Sequence, residues 1–197
     1  MKTVRVRLTF TEELLGTASA NPDIYSEFIA SKGPSPDEEV AALPDVEEEI
    51  EKSTTVFPRM ADDTPFVYDY QIKGLFKDAC GMLRRADDMQ SKKLTAYKKV
   101  IDGLVFVTPR QIPLVLSGPL GICERPLRAQ TAQGERIALA RSESAPAGTT
   151  VEFEVTLLRA DLEDQLDEWL DYGKFRGLGQ WRNSGKGAFD YVELTSE

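Results

Sequence analysis

The stretch Val151–Leu194, "VEFEVTLLRADLEDQLDEWLDYGKFRGLGQWRNSGKGAFDYVEL", holds a strand, a helix, a glycine-rich loop and a second strand, in that order. Val151, Phe153, Val155 and Leu157 alternate with polar residues, the period of a half-buried strand. Directly after it, Leu162, Leu166, Trp169 and Leu170 fall on one helical face with six acids elsewhere, and Gly173 is expected to stop that helix. The final stretch "AFDYVEL" reads as a closing strand.

Working outward, Thr3–Phe10 sets Val4, Val6, Leu8 and Phe10 on one face and Arg5 and Arg7 on the other, which predicts the first strand. A helix is predicted over about Gln71–Arg85, where Ile72, Leu75, Phe76, Ala79, Met82 and Leu83 recur at helical spacing. A second helical piece, "SKKLTAYKKVIDG", is expected to end at a Gly103 cap. "LVFV" and "QIPLVL" then read as extended segments split at Thr108 and Pro109.

Two segments stand outside this pattern. Residues from about 17 to 66 are rich in Pro, Ser, Asp and Glu and read as an acidic insertion; Asp37–Glu51 alone has eight acids and no cation. Residues from about 122 to 142 read as a hairpin-like excursion turning near Gln133 and Gly134, followed by the turn "PAGT". Removing both leaves βαββαβ. The expected fold is α+β and ferredoxin-like, one domain over residues 1–197 with an antiparallel sheet, helices on one face and the glycine-rich loop before the last strand.

Composition narrows the chemistry. The 197 residues carry a formal charge of -9 and no histidine, which removes Ser-His-Asp and Cys-His catalysis, HExxH zinc sites and histidine acid/base pairs. Cys80 and Cys123 lie far apart without metal-ligand spacing, so buried, reduced thiols are expected, with no metal and no cofactor. No signal-like h-region opens the chain and no apolar run approaches membrane length, so a cytoplasmic location is expected.

Against that acidic total, Asp171–Phe189 concentrates five glycines and four cations in nineteen residues. A phosphate-binding P-loop is a poor match: Gly179 and Gly185 enclose five residues, Gly187 follows Lys186, and the flanking order is helix then strand. A dinucleotide fingerprint fails on the same context. Glycines beside Lys174, Arg176, Arg182 and Lys186 suit a loop that lays N–H groups and cations along a phosphodiester backbone. Phe175 and Trp181 either stack on bases or anchor the loop to the sheet.

The βαββαβ order with "GKFRGLGQWRNSGKGAF" between last helix and last strand resembles the RAMP superfamily, RNA-binding proteins of CRISPR systems. "YDYQIKGLFKDACGMLRR", Tyr68–Arg85, is similar to the first helix of CRISPR effector backbone subunits, although Tyr70-Gln71-Ile72 stands where they usually have Pro-Gly-Ser-Ser-type residues. "RGLGQWRNSGKG" also resembles phrases in uncharacterised phage-encoded proteins. The resemblance implies a cytoplasmic, non-catalytic protein that binds single-stranded RNA, with CRISPR effector proteins or copies of itself as further partners. By position it implies RNA contacts from Lys73 and Lys77 on the first helix and from Arg176, Arg182 and Lys186 in the loop; the loop's own chemistry adds Lys174, Gly177, Gly179 and Trp181 to the candidate contacts. The alternative it leaves open is a phage-encoded interaction protein of anti-CRISPR type, acting through acids such as Glu47, Glu48 and Glu49. Metal-dependent cleavage by Asp62, Asp63 and Asp69 has only loop carboxylates behind it.

Overall fold

A computed structural model of the chain describes residues 1–20, 54–131 and 134–194. The acidic run Asp37–Glu51, with Glu47, Glu48 and Glu49, and the turn residue Gln133 lie outside the described residues.

The alternating segments form the strands expected of them. β1 (Lys2–Phe10) lies between β10 (Thr150–Leu157) and β11 (Phe189–Leu194), antiparallel to both, with Val6 opposite Phe153 and Phe10 opposite Phe189. β6 (Val105–Thr108) and β7 (Gln111–Val115) run end to end along the other edge of β10. Thr108 stands opposite Glu154 and Leu114 opposite Val151, so six steps on one strand face three on the other. β7 also pairs with β5 (Phe66–Tyr68) at the sheet edge. The order β11, β1, β10, β6/β7 is the antiparallel ferredoxin-like arrangement expected from the element order, with β5 added.

Helices α1 (Asp69–Leu83) and α3 (Glu163–Arg176) cover one face of this sheet. Val4, Val6, Leu8, Val151, Phe153 and Val155 are buried there in one cluster with Leu75, Phe76 and Leu166. The Trp169 ring lies 5.6 Å from that of Phe76, and its indole N–H donates to Ser91 Oγ at 3.0 Å, which satisfies the one polar atom of a fully buried side chain. Met82 belongs to the apolar set by spacing but falls in the last turn of α1 and is exposed. The opposite face of the sheet carries Arg5 and Arg7, both hydrogen-bonded to Glu152.

Two glycines act differently from expectation. α2 (Tyr97–Leu104) runs through Gly103 straight into β6, so Gly103 is no cap. α3 runs through Gly173 to Arg176 and is closed by Gly177 at φ +74°. Gly173 faces inward: a Cβ there would come within 2.6 Å of the Phe189 ring, so glycine sets the distance between α3 and β11.

The excursion is a long antiparallel hairpin, β8 (Gly121–Thr131) and β9 (Gly134–Ala145). β9 also pairs with β2 (Leu14–Leu15) and, in parallel, with β4 (Thr55–Val56), which pairs with β3 (Ala18–Ser19). The described ends of segment 17–66 are therefore built into a second sheet together with the hairpin.

Candidate nucleic-acid interface

The glycine-rich loop is tied to the body at two places and closed on itself at a third. Gly187 N–H donates to Glu13 O at 2.8 Å, Leu178 N–H to Gly187 O at 2.9 Å, and Gln180 Nε2 to Gly16 O at 2.8 Å. Gly177, Gly179, Gly185 and Gly187 all have positive φ, and a Cβ on Gly177 would meet Lys186 O at 2.6 Å. Gly179, at φ +80°, packs on Leu14 and the carbonyl of Leu15.

Between this loop and α1 lies an open cleft of about 230 Å³ bounded by Thr17, Gln71, Gly74, Leu178, Gly179 and Arg182. Gln71 accepts the backbone N–H of Tyr68 at 2.9 Å and donates to Thr17 Oγ1 at 2.8 Å, which fixes the rim. Gly74 is exposed, and a Cβ there would meet nothing, so the floor of the cleft is open backbone.

The cations named from sequence divide into groups. Arg176 Nε and Arg182 Nη1 both donate to Asp78 Oδ2 of α1, each at 3.0 Å, and Arg176 Nη1 also reaches Asn183 Oδ1 at 2.6 Å. One carboxylate between two guanidiniums leaves a net positive charge at the cleft mouth. Lys73 and Lys77, one helical turn apart on α1, turn towards α2 and β6 and do not line the cleft: Lys77 pairs with Asp102, and Lys73 donates to Asp102 O at 3.3 Å with its ammonium 5.2 Å from the Phe106 ring. Lys186 reaches Glu13 at 3.3 Å. Lys174 lies apart, 3.6 Å from Asp171 and over the Tyr191 ring on the β11 side of α3. Phe175 is 87 % exposed and anchors nothing, whereas Trp181 is half-buried over Arg125.

Arg125 itself carried no sequence signal, because it stands among the polar residues of an excursion and its neighbours come from distant segments. It is buried on β8, donates to Gln180 Oε1 at 2.8 Å and Ser142 Oγ at 3.2 Å, and lies 4.7 Å from the Trp181 ring.

The candidate aspartates do not converge, and Asp69 opens α1 instead of lying in a loop. Asp62 accepts Thr64 N–H at 3.1 Å, the first cause holding its carboxyl below the usual range, Asp63 sits 3.8 Å from Arg59, and Asp69 accepts Tyr70 N–H at 2.8 Å. Among the described residues no group of three His, Cys, Asp or Glu is placed to hold a metal, and no helix is long and apolar enough to cross a membrane. Cys80 is buried, Cys123 half-buried, and both are free thiols.

No family model and no curated protein matches the sequence. Solved structures do match its shape. A chain in the cryo-EM structure of the type III-B Cmr-beta bound to cognate target RNA superposes with a TM-score of 0.55 at 14% identity over 98% of this chain, which spans 61% of the length of that one. A chain of a type IV-B CRISPR complex superposes with a TM-score of 0.51 at 13% identity, covering 99% of this chain and 91% of that one. The chain thus shares its fold with chains found in CRISPR complexes.

Proposed function

We propose that the protein binds single-stranded RNA without cutting it, seating the strand in the cleft between α1 and the glycine-rich loop, as a subunit-like component of a CRISPR complex. The observation that carries this reading is the cluster at the cleft mouth, where Arg176 and Arg182 share the single carboxylate of Asp78. Partly exposed ion pairs of this kind contribute about 0–1 kcal/mol each, so a phosphate can displace them at little cost. An open glycine floor admits a backbone, and arginine forks bind phosphate oxygens in pairs. The fold shared with chains of CRISPR complexes, one of them bound to target RNA, supports the same choice of ligand. A phage-borne mimic of such a subunit rests on phrases of sequence, and the structure adds nothing to it.

The test is oligouridine binding across a salt series. Replacing Arg176, Arg182 and Lys186 together by Ala should lower affinity for all sequences alike and make the slope of log K against log[salt] shallower by about 0.7 for each phosphate that is no longer neutralised. Asp78→Asn should do the reverse and tighten binding roughly fivefold, about 1 kcal/mol, because it removes the competing anion. Full affinity in the triple variant would end this reading. Incubation of the labelled strand with magnesium or manganese checks the non-catalytic part, which cleavage lost in an Asp62→Ala, Asp63→Ala variant would overturn.

A further inference from the structure

We propose that Arg125 is a further phosphate-binding residue, closed under Trp181 in the free protein and opened by the bound strand; this rests on the RNA reading above. Arg125 is 6% exposed, and its Nη1 is buried with no hydrogen-bond partner. Its partners Gln180 and Ser142 are neutral, and no ion pair joins it to a carboxylate among the described residues. Arg59, Arg141, Arg176 and Arg182, by contrast, each have an acid. A buried charge without a counter-charge is expensive to hold, so this arrangement is poised for an anion.

The cover is also out of the ordinary. Trp181 has φ +55°, a left-handed conformation that a bulky side chain seldom adopts, and its ring stacks on the guanidinium. It stands between Gly179 and Gly185, both at positive φ, and a Cβ on Gly185 would meet nothing. Gly179 and Arg182 on either side of it line the α1 cleft, so one short segment has the cleft on one side and Arg125 on the other. A strand leaving the cleft crosses Trp181. One base takes the face of the indole, and the adjoining phosphate takes Nη1 of Arg125, whose guanidinium Gln180 and Ser142 keep oriented without neutralising it.

The chain has two tryptophans, and Trp169 is fully buried with its N–H bonded to Ser91, so an emission change on ligand binding reports Trp181. Saturating oligouridine should shift the emission of the wild type and leave Trp181→Phe silent. Arg125→Gln should weaken binding roughly five- to tenfold and make the salt slope shallower by about 0.7, the share of one phosphate, while Arg125→Lys should keep the slope. A purely structural arginine would lower the melting temperature and leave the slope alone. If Arg125→Gln folds and binds with wild-type affinity and slope, this inference falls while the RNA reading stands. If that variant does not fold, wild-type emission unmoved by a saturating strand overturns it equally. A wild type that binds no oligonucleotide removes both readings.

Discussion

Gly187 holds φ at +72° directly under Leu178, where an added Cβ would lie 1.9 Å from the Leu178 carbonyl oxygen. Gly185 has nearly the same φ, +83°, with nothing near its missing Cβ. The pair separates two costs that glycine removes. Gly185→Ala carries only the left-handed penalty, roughly 1–2 kcal/mol, and should lower Tm by about 2–8 °C. Gly187→Ala must also push the loop backbone away from Leu178 and should cost clearly more, with loss of oligouridine binding as the cleft wall shifts. Thermal melts of the two variants check this, and equal Tm values would show that the loop does not hold the geometry described. The sequence flagged both glycines by their density. Only the position of Leu178 ranks them.

α3 is where the expectation of a glycine stop meets the packing of the whole element. The helix continues through Gly173 because that residue faces Phe189 and Leu75, where a Cβ would lie 2.6 Å and 3.2 Å from ring and methyl atoms. In a solvated helix, glycine to alanine stabilises by about 0.8–1.0 kcal/mol. Here Gly173→Ala should destabilise instead, since the added methyl drives α3 off β11. The sign of the change in denaturation midpoint decides it: a gain in stability would mean that α3 stands further from the sheet than described. Helical spacing alone could place Leu166, Trp169 and Leu170 inward, but not reveal that the helix sits close enough to need glycine at the same face.

Across the whole molecule, acidic residues meet where α3 passes the end of the sheet. Burial first, then the charge of Glu193 with Glu163 and Asp164 behind it, pushes Asp167 up to about 6 from 3.8. A raised carboxyl favours the protonated form in the folded state, so the stability it contributes is full below pH 3.8 and is lost as pH rises through about 6. Asp167→Asn should therefore raise Tm at pH 7–8 by about 2–4 °C, after discounting for solvent screening, and the gain should vanish towards pH 4. Parallel pH profiles for the two proteins would contradict this. Lys2 pairs with Glu163 at the same end and moderates the repulsion.

How much was legible follows from range. The four core strands and the two helices that cover them show themselves through alternation and helical spacing, which depend on which side of a local element meets apolar surroundings. The ferredoxin-like order followed from those elements taken in sequence. β2, β4 and β5 were not readable, because elements of two or three residues have no period, and they exist only through partners such as Ser144, Ser142 and Ile112. The cations of the loop were visible as charge. That Arg176 and Arg182 converge on Asp78, while Lys174 turns away to Tyr191, was decided by the crossing of α1, α3 and the loop. Arg125 is the extreme case: as a sequence position it is one arginine in a polar hairpin, and only folding surrounds it with Ser142, Gln180 and Trp181 from distant parts of the chain and with no carboxylate partner among the described residues. Local polarity thus determined the elements and their order, while the pairing of charges, which depends on contacts between residues far apart in sequence, was left to the tertiary structure.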